Sequence, residues 1–385
     1  MKKLAIFLLL QLTVISAFCQ REITIDGYLN DMQSVYHIQD LGWLWENQLH
    51  NRLNLNIYPA DWLQISFQGR TRFMQGNMNS NFPGYGEMMD QDAGWIDATY
   101  ATDGTYNADV GYVFTTMLDR AYAEFTLGNF VGTVGRQRIN WGQTFAWNPN
   151  DIFNSYSYFD VDYPERPGAD AVRLQYYTGM ASNIEVAAKI DSANKITAAG
   201  YFRFNLGGYD FQLLGGILSE EDLVVGAGWS GNISTVSFRG EASYFHDLEE
   251  YKDTTGIVIA SAGLDYTFRN SLFLQGEVLY SAYAKNQNIT SLLNILSADM
   301  TVKTIGFTEW SVFANISYPI TPLINSSFAA MYYPDWKGFY VGPSIDVSAM
   351  NNLKFSLIFQ GFSMKFNGMD RQNNYIAYAK IKWSF

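Results

Sequence analysis

Six arginines are the side chains whose types and spacing could act on a solute. Arg70, Arg72, Arg120, Arg136, Arg138 and Arg173 fall on four consecutive segments in which polar and apolar residues alternate. Successive side chains of an extended strand point to opposite faces, so the alternation puts all six on the polar face. Opposite them stand Leu63, Ile65, Phe67 and Phe73 in one segment and Val172, Leu174 and Tyr176 in another. Before the last of these segments runs a long aromatic and acidic stretch, about 141 to 168, carrying Asp151, Asp160, Asp162 and Glu165. Folded against the polar face, those carboxylates would meet the guanidiniums and set a transverse field across a constriction, which selects and orients charged solutes. A plainer reading uses the same contacts: the arginines salt-bridge the stretch in place and do no more. Glu124 is the one clear acid expected on the same wall.

Other chemistry finds little support. His37, His50 and His246 are the only histidines, and no H-E-x-x-H spacing links any of them to a second ligand. Each reads as a polar strand or loop residue. Ser243 lies near His246 in sequence, but nothing local demands that they act together, so an enzyme is not expected, and neither is a cofactor or a metal site. Asp90, Asp92, Asp97, Asp103 and Asp109 crowd one stretch without the twelve-residue pattern of a calcium loop, and read as solvated charge. The formal charge of −12 argues against nucleic acid.

The elements that must position the arginines are strands. Residues 1–19 read as a secretory signal, with Lys2 and Lys3 at its start, an apolar run from Leu4 to Phe18 and a cleavage site at Cys19. Cys19 is the single cysteine, so disulfides and thiolate metal sites are excluded. No later apolar run approaches the roughly 18 residues of a spanning helix. Instead, residues 20–385 divide into about eighteen alternating segments, which fits a transmembrane antiparallel β-barrel, sixteen being the other count considered. Tight joints at 59–61, 128–129, 178–182, 207–208, 231–232, 269–270, 319–322 and 349–352 are every second connection. Stretches at 76–117, 141–168, 246–256, 284–306 and 365–373 fall on the other side, as short periplasmic turns and long extracellular loops would. The 27 Phe, 26 Tyr and 10 Trp suit interfacial girdles. At the C-terminus Tyr375, Ala377, Ala379, Ile381, Trp383 and Phe385 form one apolar face ending on an aromatic. This resembles the insertion signal of Gram-negative outer-membrane barrels, read by the barrel assembly machinery.

The run Gly135-Arg136-Gln137, then Trp141-Gly142-Gln143, Asn148-Pro149, Asp151, Phe153-Asn154 and Arg166-Pro167-Gly168, is similar to that of a family of largely uncharacterised Gram-negative outer-membrane porin-like barrels. The likeness covers about 40 residues. It implies a pore-forming barrel with an inward loop in the cell outer membrane and implies no substrate. The leading expectation is a porin for passive diffusion of small polar or anionic solutes, in contact with outer-membrane lipid, with a homo-oligomer left open. Alternatives are a more specific uptake or export channel for sugars, oligosaccharides or acidic polymers, with Trp141, Phe145, Trp147 and Tyr156 as a stacking track, and a structural or secretion-associated barrel.

Overall fold

Alternation along the chain becomes strand pairing in the computed structural model, which describes residues 22–385 apart from 40, 83–84, 90–91, 93, 108, 253, 288, 297–299 and 367–368. The expected signal segment and Asp90 lie outside the described residues. The strands are β1 (Ile23–Ile38), β2 (Gly42–Ala60), β3 (Leu63–Gly76), β4 (Thr99–Thr105), β5 (Gly111–Leu127), β6 (Phe130–Gln137), β7 (Ala169–Gly179), β8 (Ser182–Ile190), β9 (Ile196–Leu206) and β10 (Tyr209–Leu218). They continue with β11 (Asp222–Ile233), β12 (Val236–Asp247), β13 (Ile257–Thr267), β14 (Phe273–Ser281), β15 (Trp310–Thr321), β16 (Ile324–Tyr333), β17 (Gly338–Met350), β18 (Leu353–Lys365) and β19 (Arg371–Ser384). Neighbours pair antiparallel, and the sheet closes where β1 meets β19, from Tyr28 opposite Ser384 to His37 opposite Tyr375. Closure leaves no free sheet edge at this seam.

Among the described residues nineteen strands occupy eighteen places in the wall. One edge of β5 pairs along its whole length with β3. The other edge pairs with β4 over residues 111–117 and with β6 over residues 121–127. The two short strands therefore share one place, β6 filling its lower half and β4 its upper half. The stretch 76–117, expected as one long loop, instead holds β4 and the first half of β5, with helices α1 (Met78–Asn81) and α2 (Tyr85–Met89). The joint expected at 231–232 lies instead after Ile233, where Ser234 adopts a positive φ of 59°.

The two faces of the wall differ. Outward stand Leu49, Leu53, Phe67, Val172, Leu174, Ile184, Val186, Leu213, Val225, Ile316 and Leu357, all exposed. So much contiguous apolar surface is stable only against lipid, the signature of a transmembrane barrel. Inward the wall is polar at mid-height and apolar toward the loop end. On β12 Glu241 and Ser243 are followed on the same face by Phe245, and on β14 Glu277 is followed by Leu279. The buried core thus sits inside the barrel at its loop end, where α1 and α2 pack against β2, β3, β4 and β5, and Leu292 and Ile295 of α3 (Leu292–Leu296) belong to the same buried cluster.

Candidate functional site

Residues 138–168 leave the wall at the top of β6 and cross the barrel interior before rejoining it at β7. Asn154 ties the two ends together: its Oδ1 accepts from the Ile139 N–H at 2.8 Å and its Nδ2 donates to the Pro167 carbonyl at 3.1 Å. Three wall glutamates hold the first half. Glu185 of β8 accepts from the Trp141 indole at 2.6 Å. Glu241 of β12 accepts from the Gln143 N–H at 2.7 Å and the Thr144 hydroxyl at 3.0 Å. Glu277 of β14 gathers the N–H groups of Phe145, Ala146 and Trp147 at 2.9 to 3.0 Å and the Ser261 hydroxyl at 2.8 Å. A carboxylate that collects successive peptide N–H groups makes charge-assisted bonds, roughly twice as strong as neutral ones. Asn150 docks on β11 and β12, donating to the Ala227 carbonyl at 3.1 Å and accepting from Ser243 at 2.7 Å. Gly226 permits the approach, since a Cβ there would stand 2.7 Å from the Asn150 Oδ1.

The second half reaches the far wall. Gln360 of β18 donates to the Phe159 carbonyl at 3.2 Å and Lys380 of β19 to that of Val161 at 3.1 Å. Asp162 accepts from Arg70 of β3 at 2.5 Å and lies 3.1 Å from the Nδ1 of His50 on β2. Burial alone would push the Asp162 carboxyl up, but His50 and the charges of Arg70 and Arg72 together hold it well below the usual carboxylate range. Tyr163 bonds Asp119 through its hydroxyl and lies under the Arg70 guanidinium, 4.0 Å from ring to cation. Tyr28 donates to Glu165 at 3.1 Å, and Arg120 donates to the carbonyls of Glu165 and Arg166 at 3.0 and 2.7 Å.

The arginines separate into groups. Arg70, Arg120 and Arg173 are inward and engaged: Arg120 with Asp119 at 3.1 Å, and Arg173 with both oxygens of Glu185 at 2.7 and 2.8 Å. Arg72 is also inward, donates to Thr115 at 3.2 Å and makes no ion pair among the described residues. Arg136 departs from the expected facing. It stands opposite Asp170, in the same row as Val134 opposite Val172, which are exposed on the outer surface. There it fills the notch above β6, bound to Asp170 at 2.8 Å, to Asp92 at 2.8 Å and to the carbonyls of Leu118 and Ile96. Asp92, read as solvated charge, is accordingly buried. Gly135 precedes this arginine at φ 115°, and a Cβ on it would lie 2.2 Å from the Ala121 carbonyl oxygen. Arg138 begins the crossing segment; its Nε is buried without a partner, and it makes no ion pair among the described residues. Arg166 likewise lies against the Tyr156 ring, 3.0 Å from its centroid, with no ion pair among the described residues. Asp151 is 1% exposed, and among the described residues neither carboxylate oxygen has a hydrogen-bond partner of good geometry. Burial pushes its carboxyl up to about 7 despite the nearby Arg138.

Several participants escaped the sequence reading. Glu124 merely accepts from Thr133 at 3.2 Å; the acid that matters on β5 is Asp119. A register shift opposite Gln68 and Gly69 makes Asp119 the extra residue of a bulge, so that it and Arg120 are both buried. Asp119 then receives Arg52 of β2 at 2.5 Å. Arg52 and Arg70 are direct cross-strand partners, as are His50 and Arg72. Two arginines directly opposite each other are unfavourable without an acid beside them, and this was the available signal for Arg52 and Asp119. A cavity of ≈ 210 Å³ lies beside the segment, lined among others by Arg70, Arg72, Asp92, Asp119, Arg136 and Tyr163. Ser243 and His246, considered as a pair, face apart: Ser243 bonds Asn150, whereas His246 bonds the hydroxyl of outward Tyr244 at 2.8 Å.

No protein-family model matches the chain, and comparison with curated protein sequences finds no relative. Solved structures share the fold. OccAB2 of Acinetobacter baumannii superposes at TM-score 0.57 with 10% identity over 96% of this chain and 99% of that one. Pseudomonas aeruginosa OccK5 (OpdH) does so at 0.57 with 8% identity over 96% and 99%, and OccD3 (OpdP) at 0.55 with 9% identity over 94% and 91%.

Proposed function

We propose that the protein is an outer-membrane porin through which small polar and anionic solutes diffuse passively, with residues 138–168 as the constriction. An eighteen-place barrel is wide enough for an aqueous lumen, and the outward apolar belt sets it in lipid. The observation that carries the reading is the bonding of the crossing segment. It is held by its backbone to glutamates on one side of the wall and by Asp162 to Arg70 on the other. A segment fixed at both sides narrows a pore without closing it by chance motion.

The charge left at this level favours anions. Most inward arginines are neutralised by Asp119, Asp162 or Glu185, while Arg138 and Arg166 on the segment itself have no ion pair among the described residues. The stacking-track alternative loses support because Trp141 and Trp147 are buried, Trp141 packed on Tyr201 at 5.1 Å and Trp147 on Phe313 at 6.3 Å. Phe145 alone of that set is strongly exposed. Purified protein in a planar bilayer is expected to conduct in salt solution with a mild preference for anions. Absence of conductance at every voltage would falsify the porin reading.

A further inference from the structure

The outer surface carries a second organised feature, at the loop end of β17, β18 and β19. An aromatic belt runs there along the lipid side: Tyr332 beside Phe339 at 4.8 Å, Phe359 stacked on Tyr375 at 6.1 Å, and His37 between Tyr375 and Trp43. Such rings mark the height of the lipid headgroups. Above the belt, on the same outward rows, the chemistry changes to cations. Lys365 and Arg371 are direct cross-strand partners, both exposed, four residues beyond Gly361 and Tyr375 along their strands. At about 3.3 Å per residue and a strand tilt of roughly 40°, they stand about 10 Å above the belt. Lys337, exposed in the adjoining turn, completes the group, for Arg371 donates to its carbonyl at 3.0 Å. The same guanidinium is fixed on Ser363, at 3.0 Å to the hydroxyl and 3.2 Å to the carbonyl.

Like charges placed directly opposite each other on a sheet are destabilising, and the group has no internal remedy. None of Lys337, Lys365 and Arg371 makes an ion pair among the described residues. Asp370, next to Arg371 in the chain, is exposed and forms no ion pair among them either, and Asp335 accepts instead from the Glu309 N–H at 2.8 Å. Three cations at phosphate height, above rings that suit the headgroup boundary and an apolar wall that suits acyl chains, are complementary to one kind of partner. Resting on the membrane orientation proposed above, we propose that Lys337, Lys365 and Arg371 bind the phosphate of an outer-leaflet lipid headgroup. The occupant is a membrane lipid and not a passing solute, because the group lies on the outside of the wall, away from the lumen.

Full-length protein in mixed detergent micelles should retain bisphosphorylated lipid A. The double variant K365Q/R371Q should bind it roughly thirtyfold more weakly, at about fivefold per cation near an anionic lipid surface. K337Q should weaken it by about fivefold by the same reasoning. Lys252→Gln, the same single change of charge as K337Q but on an exposed loop elsewhere, should leave binding unchanged, and free inorganic phosphate should not compete. Heat-modifiable migration and bilayer conductance report separately on the barrel and on the pore. A double variant that keeps both and still binds lipid A as the parent does overturns the proposal. So does competition by inorganic phosphate, which would make the group a site for a free anion.

Discussion

Arg70 and Asp162 meet at 2.5 Å although 92 positions separate them in the chain, and both are buried. This pair joins the interior segment to the wall opposite its glutamate anchors. Removing one partner of a buried pair strands the other charge, at a cost of roughly 3–5 kcal/mol. Asp162→Asn is therefore expected to loosen the second half of the segment while the barrel stays folded. Single-channel recordings should show larger current fluctuations and added protease should cut near residues 157–165. A variant as quiet and as protected as the parent would show that the glutamates alone suffice.

The same segment carries two carboxyls with opposite pH behaviour. Asp162 is held below its ordinary value, so its contribution to docking is fully present above the unfolded value of about 3.9 and is lost as pH falls toward the folded one. Asp151 is raised to about 7, so it favours docking when protonated, and that contribution is lost as pH rises through about 7. Asp151→Asn should make the segment more protease-resistant than the parent above neutral pH and remove the pH dependence between about 4 and 7. A parent protein whose protection is flat over that interval would sink this account of Asp151.

How much was legible follows from which rule each residue obeys. Period-two alternation and turn parity are local, so the barrel and the strands around Leu63–Phe73 and Val172–Tyr176 could be read directly. Arg173 and Arg70 obeyed the same rule. Arg136 keeps the period too, but in the outward row of Val134, where the notch that accepts its charge is closed by β4, a pairing between segments with no local sign. Asp119 was hidden by a bulge, which changes facing after a single residue. Glu241 and Glu277 look like ordinary polar positions until a distant segment offers them N–H groups.

The chain end is expected to matter for assembly. Phe385 exchanges two backbone hydrogen bonds of 3.0 Å with Gly27 of β1, and its ring lies 5.2 Å from that of Trp383, both rings exposed on the outside. Deleting Phe385 removes the last rung of the closing seam, together with an exposed ring beside Trp383. Less heat-modifiable folded protein should reach the membrane, and Trp383→Ser should act in the same direction with the seam intact. Equal yields from both variants and the parent would remove any special role for this terminus.

Ion selectivity separates the arginines by function. Fixed charges influence a permeating ion mainly within about a Debye length, roughly 8 Å at physiological salt, so the overall charge of −12 is a poor guide to the eyelet. Arg138 and Arg166 sit on the segment without ion pairs among the described residues, so neither guanidinium is neutralised by a salt bridge there. Arg136 is held in the notch above β6 and is neutralised there by Asp92 and Asp170. Arg138→Gln and Arg166→Gln should therefore each move the reversal potential in a salt gradient toward cations. Asp160→Asn, at an exposed carboxylate on the segment, should move it toward anions. Arg136→Gln should leave the reversal potential nearly unchanged and instead lower thermal stability, since Asp92 and Asp170 lose their shared partner in the notch. If Arg136→Gln shifts selectivity as far as Arg138→Gln does, the notch arginine faces the pore after all and the assignment of charges to the constriction is wrong.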